Sequence, residues 1–305
     1  MPTLKQIEIK MIISDSKIII KEAQNLSIKA YLPYWGMNNF FVRQCRKALC
    51  RFRFLQKIFY NRKIKKDNDD TVIIFDSLIT REYLKWVEEL FPDKKLIFWY
   101  WNPIRKTLPL KDIPSKFSVW TYSLNEALEN HISFHEQFFI GDDFEPTKDL
   151  GYVLFIGKDK GRSEQIFKYE QILNNAHIKT RFFVVSDKRR LFIKNSKLLN
   201  SPLKYEYVQQ LARECHVILD YCTIETDGLS LRPLEALKYN KLLVTNNKSI
   251  EKAKFYNNNQ VFLLQEGNYN ELLKFCSCNK KVIYGDKSKF SFGTWYRDLC
   301  EGVKD

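Results

Sequence analysis

Apolar residues along this chain gather into short runs, and longer stretches of mixed polarity separate them. The runs at 28–32, 71–75, 96–100 and 117–122 are rich in β-branched and aromatic residues, and each reads as a buried strand. Residues 137–140 read as another. Between the runs, 81–90 carries apolar residues at helical spacing and stops at Phe91-Pro92, and 125–130 reads as a shorter helix. The segment 141–149 is polar, holds Gly141 and Pro146, and reads as a linker. Beyond it, runs at 152–157, 180–185, 216–220, 242–245 and 260–264 read as strands. Helices are predicted after Arg162 (with Ile166, Tyr169, Ile172 and Leu173 on one face), at 205–213, and around Glu235, stopping near Asn240. This alternation predicts an α/β protein with parallel sheets and helices on both faces.

Charge modifies that picture in one region. The 305-residue chain has a formal net charge of +14, which favours an anionic partner. Ten lysines and arginines lie within 41–66, among them Arg43, Arg46, Lys47, Arg51, Arg53, Lys57, Arg62 and Lys63, with no acidic residue. Phe40, Phe41, Phe52, Phe54, Leu55, Ile58, Phe59 and Tyr60 are interleaved with them. The segment reads either as a helix that docks on an anionic membrane surface or as a solvated basic helix with one stripe toward the core. No familiar nucleic-acid recognition motif appears, and no nucleic-acid partner is expected. No apolar run reaches the ~18 residues of a membrane span. The cysteines form no paired framework, and the first ten residues have no signal-peptide shape, so a cytoplasmic setting is expected.

The chemistry concentrates in the second half. Asp227 precedes Gly228, Leu229 and Ser230, and Glu235 follows eight positions after Asp227 inside a short apolar helix. Gly228 permits a positive φ, and Pro233 is tolerated in a first helical turn. Amides of residues 229–231 then face outward at a helix N-terminus, where phosphate is stabilised. Arg232 is suited to forked contact with phosphate. Glu235 can accept two hydrogen bonds from a vicinal diol. Asn240 is a suitable left-handed helix stop.

Upstream, the strand at 152–157 breaks into Gly157-Lys-Asp-Lys-Gly161-Arg162 before the next helix. Two glycines allow a tight loop, and Lys158, Lys160 and Arg162 supply the charge a diphosphate needs. The loop is neither GxxxxGK[ST] nor GxGxxG.

The 227–245 stretch resembles the donor-sugar motif of GT-B-fold glycosyltransferases, in which two glutamates flank seven residues ahead of a short apolar helix and a strand. Here Asp227 replaces the first glutamate and Asn240 the usual glycine. A closer likeness joins 155–162, 231–237 and 245–248 to bacterial proteins labelled lipopolysaccharide or capsular polysaccharide biosynthesis proteins. It covers roughly 150–265. The first half matches only loosely, through 99–103 and 119–123. The resemblance implies two Rossmann-like domains, 1–145 on the acceptor side and 146–285 on the nucleotide-sugar side, with a ligand cleft between them. It also implies a helix within 286–305 that returns to the first domain. Glu235 would bind the nucleotide ribose, Asp227 would face the transferred sugar, and cations at 158–162 would meet the donor diphosphate.

A catalytic base is less well marked. Asp76 follows the strand at 71–75, where side chains face a ligand crevice. It reads either as the base of an inverting transferase or as a cap for the next helix. Asp67-Asn-Asp69 matches the letters of a metal-binding Asp-x-Asp, but it precedes its strand within a polar run. His131 and His135 lack further ligands for zinc. The sequence therefore predicts a transferase that needs no metal or cofactor. It would move a sugar from a nucleotide sugar to a lipid-linked or glycan acceptor, peripheral to the inner membrane face. A non-catalytic relative that binds a glycan or a protein partner is the alternative.

Overall fold

The structure is a computed structural model describing residues 11–37, 39–49, 53–66, 70–141, 148–187, 197–222 and 228–303. The chain divides into two compact units, 1–136 with 292–305, and 137–291.

The first unit contains β1 (Met11–Ile13), α1 (Lys17–Asn25), β2 (Lys29–Tyr31), α2 (Phe40–Leu49), β3 (Thr71–Phe75), α3 (Arg81–Leu90), β4 (Lys95–Tyr100), β5 (Phe117–Thr121), α4 (Leu124–Asn130) and β6 (Ser133–Phe134). Its sheet order is β2-β1-β3-β4-β5-β6, with every pairing parallel. All five residues of β3 are buried, which explains its continuous apolar run. Helix α3 starts where the Thr80 side chain accepts from the Tyr83 amide, and it buries Tyr83, Leu84 and Val87.

The second unit contains β7 (Tyr152–Lys158), α5 (Ser163–Asn175), β8 (Lys179–Val185), β9 (Leu198–Leu199), α6 (Tyr205–Glu214), β10 (Val217–Asp220), α7 (Leu231–Tyr239), β11 (Leu242–Thr245), β12 (Val261–Leu263) and α8 (Tyr269–Ser277). Its sheet order is β12-β11-β10-β7-β8-β9, again all parallel. The chain steps one way from β7 through β9, then returns to the other side of β7 with β10. That reversal between β7 and β10 is the place where doubly wound sheets bind ligands, beyond the strand carboxyl ends.

The last helix, α9 (Phe292–Glu301), belongs to the first unit. Trp295 is buried against Phe75 and Trp99, with ring centroids 5.5 and 5.2 Å apart. Lys95 Nζ donates to the carbonyls of Leu299 and Cys300 at 3.3 and 2.8 Å, placing a cation on the negative helix end.

Four expectations are corrected. The basic segment 41–66 is not one helix: α2 ends at Leu49, and 3₁₀ turns cover Arg53–Phe59 and Arg62–Lys66. Residues 137–140 form only an isolated bridge, Phe139 to Ser291, in place of a strand. The first unit ends at Glu136, ahead of the boundary expected at 145. The Phe139 amide donates to Phe290 O at 2.9 Å and Lys238 Nζ to Ile140 O at 2.8 Å, which tie this stretch to the second unit. That unit also runs on to Ser291, past the expected limit at 285. Strands β1, β6 and β9 and helices α1 and α8 were not read from the sequence. The three strands are only two or three residues long, too short for periodicity to show.

Candidate functional site

The loop after β7 and the helix α7 both lie at the β7–β10 reversal. Strand β7 ends at Lys158, and Gly161 turns the chain with φ +76 before α5. Gly157 serves a different need. A Cβ there would sit 2.9 Å from Arg162 Nη2 and 3.0 Å from Arg232 Nη1, so the glycine makes room for two guanidinium groups. These arginines are 70 positions apart in the chain, and both lie over the Phe155 ring, at 5.3 and 5.4 Å from its centroid.

Each arginine is braced by its own protein. Arg162 is buried; its Nε and Nη2 donate to Lys158 O at 3.2 and 3.1 Å, and its Nη1 donates to Tyr221 O. Arg232 donates through Nε to Asp220 Oδ1 and through Nη1 to Ile156 O, at 2.8 and 3.0 Å. A guanidinium has five N–H groups, so each keeps donors beyond these bonds. Burial, followed by the charge of Arg232, pushes Arg162 below its ordinary pKa. Two crowded cations of this kind favour an anion beside them.

Asp220 holds the group together. It is fully buried at the end of β10, where it accepts from Arg232, from Ser230 Oγ at 3.1 Å and from Thr245 Oγ1 at 3.0 Å. Ser230 is the N-cap of α7, yet its hydroxyl is turned to Asp220 and makes no cap bond to its own helix. Leu229 is buried beneath this start, and Gly228 takes φ +87. The first amides of α7 thus lack a side-chain cap. At α5, by contrast, Asp159 Oδ1 accepts from the amides of Arg162 and Ser163 at 3.1 and 2.9 Å. An acidic side chain already occupies the α5 N-terminus, so the dipole argument favours α7 as the anion-binding end. Lys158 and Lys160 are exposed on the loop.

Glu235 lies one turn into α7 and is only 7% exposed. Tyr205 Oη lies 3.5 Å from its Oε1, a long hydrogen bond. Burial pushes its pKa up to about 7, against the opposing charges of Arg232 and Lys238 and the Tyr205 bond. A buried carboxyl with so little hydrogen bonding is unusual and marks a candidate ligand contact. Helix α7 ends at Asn240 in the left-handed region, φ 53 and ψ 54.

Asp227 lies outside the described residues. The ends flanking 223–227 are held by Asn246 and Asn247, which lie in the 245–248 stretch of the likeness but to which the sequence assigns no role. Asn246 accepts from the Cys222 amide at 2.7 Å and donates to Cys222 O at 2.6 Å. Asn247 Nδ2 donates to Gly228 O at 3.0 Å. Like Asp220 and Tyr205, they shape the site in a way the sequence did not indicate. Their signal is weak, because each acts on a partner brought near by strand order.

In the first unit, Asp76 is buried just beyond β3. Its Oδ2 accepts from the Asn102 amide at 3.1 Å, and Asn102 Nδ2 approaches both carboxylate oxygens at 3.2 and 3.3 Å. It does not cap α3, whose N-cap is Thr80. Burial raises its pKa to about 6, and the Asn102 bonds oppose that rise. Asp67 and Asp69 lie outside the described residues. His135 lies 3.4 Å from Asp298 and 2.8 Å from Glu136 O, while His131 ends α4 in a left-handed turn. No group of three metal-ligating side chains occurs among the described residues.

Two all-parallel sheets, each wound with helices, define an α/β protein built from two Rossmann-like units, the GT-B class of fold. The same fold is found in the glycosyltransferase from Rickettsia africae ESF-5, with a TM-score of 0.55 and 16% identity across 96% of this chain and 89% of that one. Sucrose-phosphate synthase from Thermosynechococcus elongatus aligns at a TM-score of 0.46 and 11% identity, covering 86% of this chain and 80% of that one. An α1,3-fucosyltransferase solved with GDP aligns at 0.43 and 10% identity, covering 100% and 93%. No protein-family model and no curated protein sequence matches the chain.

Proposed function

We propose that this protein is a glycosyltransferase that takes its sugar from a nucleotide donor. The observation that carries the reading is the under-bonded, buried Glu235 one turn behind an α7 N-terminus without a side-chain cap, at the β7–β10 reversal. In this reading the donor diphosphate meets the α7 amides, the remaining N–H groups of Arg232 and Arg162, and the loop lysines Lys158 and Lys160. Glu235 accepts from the ribose hydroxyls, and Asp227 faces the transferred sugar. The fixed cations offset charge on the leaving diphosphate as preorganised electrostatics, so no divalent metal is required.

Asp76 is the candidate base. A carboxyl poised near pH 6 with its orientation set by Asn102 suits proton removal from an acceptor hydroxyl. The acceptor is a lipid-linked or glycan intermediate of surface polysaccharide assembly, met at the inner face of the cytoplasmic membrane. No helix among the described residues is long and apolar enough to cross a membrane.

The second reading is a non-catalytic relative that binds a glycan or a protein partner, favoured by the many bonds Arg162 and Arg232 already make to their own chain. Thermal stabilisation by UDP, GDP, CMP and their sugars identifies the donor. Release of the free nucleotide (UDP or GDP from a diphosphate donor, CMP from a CMP-linked sugar) in the presence of EDTA then separates the readings. Nucleotide binding without turnover under any metal condition supports the second, and no nucleotide binding at all overturns the transferase reading.

A further inference from the structure

The turn at 35–37, helix α2 and the 3₁₀ turn that ends at Phe59 sort the basic, aromatic segment into two sides. Inward, Val42 packs so closely under Gly36 that an added Cβ would come within 2.5 Å of it. Arg46, four positions on, is buried with its guanidinium 4.5 Å from the Tyr34 ring centroid. Phe59, Tyr60 and Ile64 are core residues, and Tyr60 packs on Tyr83 and Trp86. These contacts fix the outward side. Asn39 Oδ1 accepts from the Phe41 and Val42 amides at 2.9 and 3.3 Å, which starts α2 with both Phe40 and Phe41 in its first turn.

Four large apolar side chains remain in water: Phe41 at 77% exposure, Phe40 at 55%, Ile58 at 54% and Trp35 at 47%. Phe40 and Phe41 meet edge to face, and Arg43 lies 5.7 Å from the Phe40 ring centroid. Trp35 is held upright by its Nε1 donating to Ile58 O at 2.7 Å and by stacking on Phe59. Arg43, Lys57, Arg62 and Lys63 are exposed around them. The sequence places no acidic residue anywhere in 40–66.

We infer that this face is a membrane-docking surface for anionic phospholipid, with Trp35, Phe40, Phe41 and Ile58 entering the interface and Arg43, Lys57, Arg62 and Lys63 meeting the headgroups. Charge complementarity selects the occupant. Cations flank apolar side chains, and no carboxylate in the segment opposes a negative surface. A single-stranded nucleic acid would need a run of ring faces for base stacking, and Ile58 has none. Trp35 suits an interface because its ring is apolar and its N–H is already satisfied. The inference narrows the sequence expectation: Arg46, Phe59 and Tyr60 are assigned to the core and leave the docking set. It is independent of the donor site, and nucleotide-induced stabilisation of the same variants keeps the two ideas separable.

The test is co-sedimentation of the full chain with vesicles of phosphatidylcholine alone and of phosphatidylcholine with phosphatidylglycerol, at low and high salt. Binding is expected only to the anionic vesicles and should weaken with salt. Phe40→Ser with Phe41→Ser, and separately Arg43→Glu with Lys57→Glu and Arg62→Glu, should each lower partitioning at least about tenfold. Both variants should keep the wild-type melting temperature, because the changed side chains are exposed. Quenching of tryptophan fluorescence by brominated lipid should drop in Trp35→Phe. Unchanged vesicle binding in both variants overturns the inference. So does equal binding to neutral vesicles, or a variant that turns a dimer into a monomer without altering vesicle binding.

Discussion

Replacing Glu235 by Gln tests whether this carboxyl is kept for a ligand. The side chain is 7% exposed, and burial moves its pKa from 4.5 to about 7. The folded protein therefore binds a proton more tightly than the unfolded chain does. Its contribution to stability is fully present below about pH 4.5 and is lost as pH rises through about 7. That interval corresponds to about 3 kcal/mol. Glu235→Gln should thus match the wild type near pH 4 and exceed it by up to about 3 kcal/mol above pH 7. Nucleotide binding should move the opposite way. Ribose hydroxyls donate to a carboxylate, so wild-type affinity should rise with pH through about 7. The neutral amide accepts more weakly, and the variant should lose about 1.5–3 kcal/mol of nucleotide affinity together with that pH dependence. Denaturant unfolding across pH gives the first quantity, and titration calorimetry with the stabilising nucleotide gives the second. A variant that gains stability yet binds nucleotide like the wild type would show a buried carboxyl without a ligand role. A variant with unchanged stability at every pH would refute the burial argument itself.

Three further outcomes are expected. Lys158→Ala with Lys160→Ala should weaken binding of a nucleoside diphosphate more than of the free nucleoside, measured by calorimetry; equal losses would remove the loop from the phosphate site. Asp220→Asn should cost about 3–5 kcal/mol in denaturant unfolding, because it leaves Arg232 without its buried counter-charge, and a loss under about 1 kcal/mol would show that the pair contributes little. Asp76→Asn should reduce turnover about 10²–10⁴-fold with little change in nucleotide affinity, and wild-type turnover should rise with pH through about 6; a flat pH–rate profile would argue against a base at this position.

The runs that became β3, β4, β10 and β11 were legible because a strand buried on both faces must be largely apolar. Helix α7 and its stop were also legible, since after an apolar helix the left-handed position, usually Gly, is one that Asn tolerates better than most residues. These are local signals: each depends on the environment of one short segment. Strand order is not local. Placing β10 beside β7 brings Arg232 within reach of Gly157 and Arg162, and pairing β10 with β11 sets Asp220 beside Thr245, where Ser230 also reaches it. Nothing in the spacing of those residues announces the meeting. The same holds for the basic segment, where sequence gave one mixture of cations and aromatics. Packing of Val42 and Arg46 against Gly36 and Tyr34 decided that Phe40 and Phe41 face water while Phe59 and Tyr60 do not. Composition and periodicity determine how much apolar surface a segment must hide; which neighbour hides it, and which charge is left beside it, depends on contacts between residues far apart in the chain.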